Sequence, residues 1–391
     1  MTQVATGLDR IAAGDDRARA AVRGRAGLLA HPASVDRRLQ HARWVLAEAG
    51  VELAALFGPE HGYGGEAQDM IGVEDARDPE GLPIHSLYGS TEEALSPRPE
   101  QLEGLDVLIV DLQDVGSRYY TYVWTAALAL RAAARAGVRT VVLDRPNPLG
   151  GTMVEGAPQR PGHRSFVGLY DVAVRHGMTI GEIVTMVRAL EGIDESSLSI
   201  IEIADWNRTM RFDQTGLPWV LPSPNMPTLD TALVYPGGCL LEGTRLSEGR
   251  GLTRPFEMWG APGLDGRALA ANVSLEGAVL RPTTFQPTFH KHGGKICGGV
   301  QVHVTDADRF QPYAAYLRLI AEAARLLGDR FEWRHDPYEF VEEIPAIDLL
   351  TGGPEYRAAV DARGSLDDVL AAEEAGAAAF RARREPWLLY R

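Results

Sequence analysis

Cysteine is nearly absent: Cys239 and Cys297 are the only two in 391 residues. Two thiols cannot make a disulfide framework, and a chain of this length does not need one. Both are expected to be reduced. Positive charge is in deficit too. Lys and Arg total 39 against 53 Asp and Glu, a net charge of −14, whereas a nucleic-acid binder carries a basic patch. No stretch reaches the roughly 18 apolar residues of a membrane span. The N-terminus, MTQVATGLDRIAAGDD, has no basic segment followed by an apolar one, so no signal peptide is expected and a cytoplasmic location follows.

Several catalytic motifs are also missing. No G-x-G-x-x-G follows the first strand, and His292-Gly293-Gly294-Lys295-Ile296 lacks the spacing and the hydroxyl residue of a phosphate-binding loop. There is no G-x-S-x-G elbow, no H-E-x-x-H and no paired-cysteine motif. Dinucleotide, nucleoside triphosphate and α/β-hydrolase chemistry therefore have no signal, and zinc has no strong one. No metal and no organic cofactor is expected.

What is present reads as a globular α/β chain. Its length is too great for one ordinary core and suggests two domains. Ala26–Ala30, Val51–Phe57, Asp106–Leu112 and Arg139–Leu143 are short apolar runs, as in strands buried on both faces. Helices are expected between them: one capped by Asp36 and ending at Gly50, and one over Tyr122–Ala136. Gly72–Pro99 reads as loop. Thr179–Glu191 predicts a further helix and Leu198–Ile203 a further strand. Strand and helix in alternation point to a Rossmann-like parallel sheet. After Trp206 the texture changes to Pro- and Gly-rich segments, then an alternating strand (Gly299–Val304) and a long helix (Tyr313–Leu327). The expected organisation is a Rossmann-like α/β domain over residues 1–215 and a smaller α+β domain over 216–391.

The stretch Leu56–Asp69, LFGPEHGYGGEAQD, stands out. It leaves an apolar run, turns at Gly58-Pro59, and presents Glu60 and His61 on a glycine-rich loop. A turn with merely solvated charges is the competing reading. Three other strand ends carry polar clusters: His31-Pro32-Ala33-Ser34, the run from Asp111 through Gln113, Asp114, Arg118 and Tyr120, and Asp144-Arg145-Pro146-Asn147. In a parallel sheet all four lie along one edge, where ligands bind. Two second-domain loops add polar groups: Pro222–Thr228, with Asn225, and Leu241–Glu257, with Glu248, Arg250 and Glu257.

The remaining chemistry is carboxylate-based. Glycoside hydrolysis needs a protonated acid at the leaving oxygen and a second group to activate water, attack, or steady the cationic sugar. Glu60, among apolar strand ends, is the candidate acid. Asp114, Glu66, Glu248 or Glu257 is the second group. Arg118 and Arg145 could hold an anionic substrate group, or simply pair with Asp111 or Asp114. Tyr120 and Trp124 share a helix face, as core or as a stacking surface.

These segments resemble the exo-acting β-N-acetylmuramidases. The resemblance is carried by LFGPEHGYGGEAQD, VDLQDVGSRYYTYVWT, LDRPNPLGG, SFVGLYDVAVRHGMTIGE, PSPNMPT, LEGTRLSEGRGLTRPFEMWGAP, KICGGVQVHVTD and AIDLLTG, in that order from Gly27 to Gly352. It implies a Rossmann-like domain and a smaller one with the active site between them. The implied reaction is removal of N-acetylmuramic acid from the non-reducing end of peptidoglycan-derived saccharides, in wall turnover or recycling. By this resemblance Glu60 is the catalytic residue. Asp114 and Glu248 are its candidate partners, and His61, Glu66, Asp111, Gln113, Arg118, Tyr120, Arg145, Asn225, Arg250 and Glu257 are candidate substrate-binding residues. The lactyl carboxylate of the sugar suits an arginine. The expected partner is a small muramic-acid-containing saccharide, with no nucleic acid and no membrane; homo-oligomerisation is left open. The chain departs from the family in lacking a signal peptide, and in Ala30-His31-Pro32 where a Thr-Asn run is usual. Two rivals stand beside this reading: a metal-dependent hydrolase using Glu60, His61 and Asp69, and a non-catalytic binder of muramic sugars.

Overall fold

The computed structural model describes residues 3–391. Among these residues ten strands form two sheets. The larger sheet contains β1 (Arg25–Ala30), β2 (Glu52–Gly58), β3 (Ala76–Arg77), β4 (Pro83–Ser86), β5 (Val107–Asp111), β6 (Arg139–Leu143) and β7 (Leu198–Ile201), in the order β3-β4-β2-β1-β5-β6-β7. All neighbours are parallel except the short edge pair β3–β4. The six parallel strands therefore run 3-2-1-4-5-6 in sequence rank, the Rossmann order, with its reversal between β1 and β5.

Period-two alternation sorts the strand residues between two apolar layers. Leu28, Val107, Ile109 and Val141 join the cluster that holds Leu8, Ile11, Val45 and Leu46 from the helices Gly7–Ala12 and Ala42–Glu48. Leu29, Leu108, Val110 and Val142 join the other, with the helices Tyr122–Arg135 and Ile180–Leu190. That second cluster continues without a break into Leu241, Trp259, Tyr316 and Ile347. There a three-stranded antiparallel sheet, β8 (Met258–Ala261), β10 (Cys297–Val304) and β9 (Ala278–Phe285), packs with the helices Leu229–Gly238 and Pro312–Leu327. The fold is the expected α/β sheet followed by a smaller mixed unit.

Three local expectations need correction. The helix expected from Asp36 begins only at Ala42, capped by His41. The Asp36 carboxylate instead accepts from the N–H groups of Arg38 (2.8 Å) and Gln40 (2.9 Å), a local turn that competes with helix. The segment 72–99 carries β3 and β4 rather than loop alone. The C-terminal region contributes three helices, Ala346–Thr351, Glu355–Asp361 and Asp367–Arg384, that the sequence pattern did not separate. The last residues return to the sheet, where the Tyr390 hydroxyl donates to Asp144 at 2.6 Å. Among the described residues no helix is long and apolar enough to cross a membrane.

Candidate active site

All four polar strand ends do lie on one edge, but they have different fates. At the reversal between β1 and β5 the crevice is filled by the protein itself. The His31 Nε2 accepts from the Gln113 N–H at 2.9 Å, and its Nδ1–H donates to the Pro222 carbonyl at 3.2 Å. That pair of bonds fixes the neutral tautomer, and burial pushes the imidazole well below its ordinary pKa. The Ser34 hydroxyl bonds the Asp111 carbonyl. The Asp111 carboxylate takes Arg145 in a bidentate pair, at 2.5 and 2.9 Å. Asp144 is ringed by donors from Thr179, Gly181 and Tyr390.

The open cleft lies to one side, between the loop after β2 and the start of the helix Tyr122–Arg135, and the second unit closes it. Its free volume is about 40 Å³, room for a few water molecules. The loop after β2 reaches it because glycine lets the chain double back: a Cβ on Gly58 would lie 2.3 Å from the Tyr63 nitrogen. His61 (φ 71°) and Gly62 (φ 84°) then hold left-handed backbone, a conformation that side-chained residues keep only under constraint. The constraint on His61 includes its Nδ1–H, which donates to the Ala67 carbonyl at 2.9 Å.

Glu60 lines this cleft and is 7% exposed. One carboxylate oxygen accepts from the Thr121 hydroxyl at 2.7 Å, the other from the Met70 N–H at 3.3 Å. The Tyr122 hydroxyl donates to the Pro222 carbonyl at 2.8 Å and lies 3.3 Å from the Glu60 carbonyl, tying the loop to the start of the helix Tyr122–Arg135. Tyr120 lines the same wall, its ring 4.7 Å from that of Tyr122. Trp124, by contrast, is wholly buried and donates to the Arg118 carbonyl. Asn225 also reaches the cleft and donates to Gln68 at 2.8 Å.

Arg250, 5% exposed, also lines the cleft. It contacts Glu242 at 2.6 Å, Asp69 at 3.2 Å and Glu248 at 3.2 Å. Glu248 is fully buried behind it and also meets His290 (2.9 Å) and Lys291 (3.0 Å). Burial would push the Glu248 carboxyl up, but Lys291, His290 and Arg250 outweigh it and hold it well below the usual carboxylate range. Burial pushes Asp69 up, against the pull of Arg250.

Glu60, His61, Tyr120, Asn225 and Arg250 thus come together on the cleft wall. The other candidates do not. Glu66 is exposed on the outer part of its loop. Asp111 and Arg145 are spent on each other, and the Gln113 amide on the Asp114 and Pro146 carbonyls. Asp114 accepts from the Gly116 N–H (2.8 Å) and faces His176 (3.3 Å). Arg118 donates to the carbonyls of Ala157, Val172 and Leu350 at 2.9, 3.0 and 2.6 Å. Glu257 accepts from Thr231 at 2.6 Å behind the wall. Residues not singled out as site residues from the sequence take their places: Thr121, Glu242, Tyr338 and Glu339. Glu242 begins the polar loop Leu241–Glu257; Glu339 lies in a segment with no motif around it. Glu60, His61 and Asp69 are each engaged elsewhere, and among the described residues no group of three or more His, Cys, Asp or Glu is arranged to hold a metal ion.

Residues 26–230 match the family described as "Exo-beta-N-acetylmuramidase NamZ, N-terminal", and residues 233–390 its C-terminal counterpart. The chain belongs to the NamZ family. It is 40% identical over 374 residues to the peptidoglycan beta-N-acetylmuramidase NamZ of Bacillus subtilis (strain 168), covering 94% of this chain and 87% of that protein. Two DUF1343 family proteins from Bacteroides fragilis have similar solved structures. One has a TM-score of 0.88 at 32% identity, with both chains fully covered. The other has a TM-score of 0.75 at 26% identity, covering 100% of this chain and 99% of that one. The cleft is composite in terms of the two NamZ regions. Glu60, Tyr120 and Asn225 fall in the first, and Glu242, Arg250 and Glu339 in the second.

Proposed function

We propose that this chain is an exo-acting β-N-acetylmuramidase, a glycosidase that releases N-acetylmuramic acid from the non-reducing end of peptidoglycan-derived saccharides. The observation that carries this reading is the carboxyl-lined cleft around Glu60, built jointly by the two regions that match the NamZ family. Cleavage of a glycosidic bond needs carboxyl groups on both sides of the scissile carbon. Glu60 is the catalytic carboxyl from the first region. Tyr120 and Asn225 line the sugar subsite with His61. Arg250 is the cation on the cleft wall, shared among Asp69, Glu242 and Glu248. The expected domain 1–215 provides the catalytic loop, and the remainder of the chain closes the site over the sugar.

The finer reading is a cytoplasmic enzyme of wall recycling that acts on imported fragments. Its support is that both cysteines are unpaired and buried, as suits a reducing compartment. The net charge of −14 speaks against nucleic acid as a partner. The direct test is product analysis on two disaccharides of opposite order. Free N-acetylmuramic acid is expected from the one with muramic acid at its non-reducing end, and no product from the one with N-acetylglucosamine there. Cleavage of both, or of the second alone, would overturn the assignment.

A further inference from the structure

Glu339 reaches the cleft from the second unit on a costly piece of backbone. Tyr338 and Val341 bond each other in both directions, at 2.9 and 3.0 Å, closing a two-residue turn. Both residues at its tip have positive φ: Glu339 at 47° and Phe340 at 66°. Such a turn ordinarily takes Asn and Gly. Glu and Phe there need a reason, because strained backbone persists only where the surroundings impose it. Tyr88 contributes to the constraint. Its ring packs edge-on against Phe340 at 5.9 Å, and its hydroxyl donates to one Glu339 oxygen at 3.1 Å. The effect is to hold a carboxyl, 6% exposed, in the cleft that contains Glu60.

The two carboxyls have different surroundings. Neither has a cationic partner within ion-pair distance among the described residues. Glu60 accepts on both oxygens, from the Thr121 hydroxyl and the Met70 N–H, and an N–H can only donate. Both of its oxygens are thus taken by donors. Glu339 accepts on one oxygen only and leaves the second without a protein partner. Arg250 is already engaged by Asp69 and Glu242.

On the muramidase reading above, we propose that Glu339 is the proton donor of glycosidic cleavage and Glu60 the ionised carboxylate that faces the cationic sugar carbon. The division reverses the role expected for Glu60 from sequence. The C1–O bond breaks with its electron pair going to the leaving oxygen, which takes the proton from Glu339. Water then supplies hydroxide to C1, and its other proton returns to a carboxylate of the pair. Charge and proton count close without a cofactor. Burial pushes Glu339 well above the usual carboxyl range, and the charge of Glu60 adds to that. Glu242 and Asp69 act in the same direction, while the Tyr88 hydrogen bond pulls it back. The groups around it on the cleft wall are thus Glu60, Asp69, Glu242, Arg250, Tyr338 and His61, with Tyr88 beside it.

The test compares a muramyl disaccharide, whose sugar alkoxide must be protonated to leave, with an aryl muramide whose phenolate leaves without a proton. Glu339→Gln is expected to lose about 10²-fold or more in kcat on the disaccharide, the usual worth of a general acid, and less than about tenfold on the aryl muramide. Glu60→Gln is expected to lose heavily on both. Equal loss on both substrates for Glu339→Gln, or none on the disaccharide, overturns the proposal. A second readout does not depend on the folding of that variant. Tyr88→Phe removes the bond that favours ionised Glu339, so the basic limb of the kcat/KM profile on the disaccharide moves to higher pH; an unmoved limb counts against Glu339. If the wild-type chain cleaves neither substrate, the muramidase reading itself falls. If it cleaves both and Glu339→Gln matches it, only the role of Glu339 falls.

Discussion

At the scale of single residues, Arg118 shows how a side chain of the right chemistry serves structure instead of substrate. In the sequence it stands close to Asp111 and Asp114, the composition of an anion clamp. In the fold its guanidinium is wholly buried and bonds three carbonyls that lie 39, 54 and 232 residues away. No local pattern announces backbone acceptors so distant. Arg118→Met keeps the apolar stem and leaves two buried carbonyls and the half-buried one of Ala157 unpaired, each buried one costing about 1–3 kcal/mol. The expected outcome in denaturant titration is a loss of about 3 kcal/mol or more, with KM near wild type at temperatures where the variant is folded. A raised KM at unchanged stability would return Arg118 to the substrate. Glu60 was legible for the opposite reason. The glycines that let the loop double back, and the Glu-His pair that it presents, are neighbours in sequence. Glu339 was not, since its significance comes only from the Tyr88 contact and the company of Glu60.

At the scale of elements, short apolar runs located β1, β2, β5, β6 and β7 closely, most sharply β1, β5 and β6, whose burial on both faces leaves an unbroken apolar signature. Which strand end would stay open was not readable. That depends on which polar groups satisfy each other across strands, and at β1, β5 and β6 they do. Asp144, at the end of β6, is the clearest case. Burial pushes its carboxyl up to about 6, although Tyr390, Thr179 and Gly181 all donate to it and pull it down. The folded state therefore holds a proton that the unfolded chain, with an ordinary value of 3.8, releases earlier. The stabilisation from this proton is fully present below pH ~4 and is lost as pH rises through ~6, by about 3 kcal/mol at most. Asp144→Asn removes this titration. Stability measured from pH 4 to pH 7 is expected to fall with pH more steeply in wild type than in the variant. Parallel curves would mean that Asp144 does not carry the slope.

At the scale of the whole molecule, the cleft exists only where the two units meet. One apolar cluster runs from the parallel sheet into the antiparallel one. Asp69 to Arg250 and Tyr88 to Glu339 join the two regions at the cleft, while Gln68 to Asn225 and Tyr122 to the Pro222 carbonyl brace its rim within the first. The sequence indicated both units and a site between them through its resemblance to the muramidases. It could not indicate which residues of the second unit face Glu60, because that is set by how loops more than a hundred residues apart dock. The central claim is that this composite cleft cleaves muramic glycosides through Glu60. Its most direct test is hydrolysis of a chromogenic β-N-acetylmuramide beside the matching N-acetylglucosaminide, with chelator present, by wild type and Glu60→Gln. The expected result is turnover of the muramide alone, undiminished by chelator, and a loss of about 10²-fold or more in the variant. Turnover abolished by chelator, or a Glu60→Gln variant as active as wild type, would contradict it.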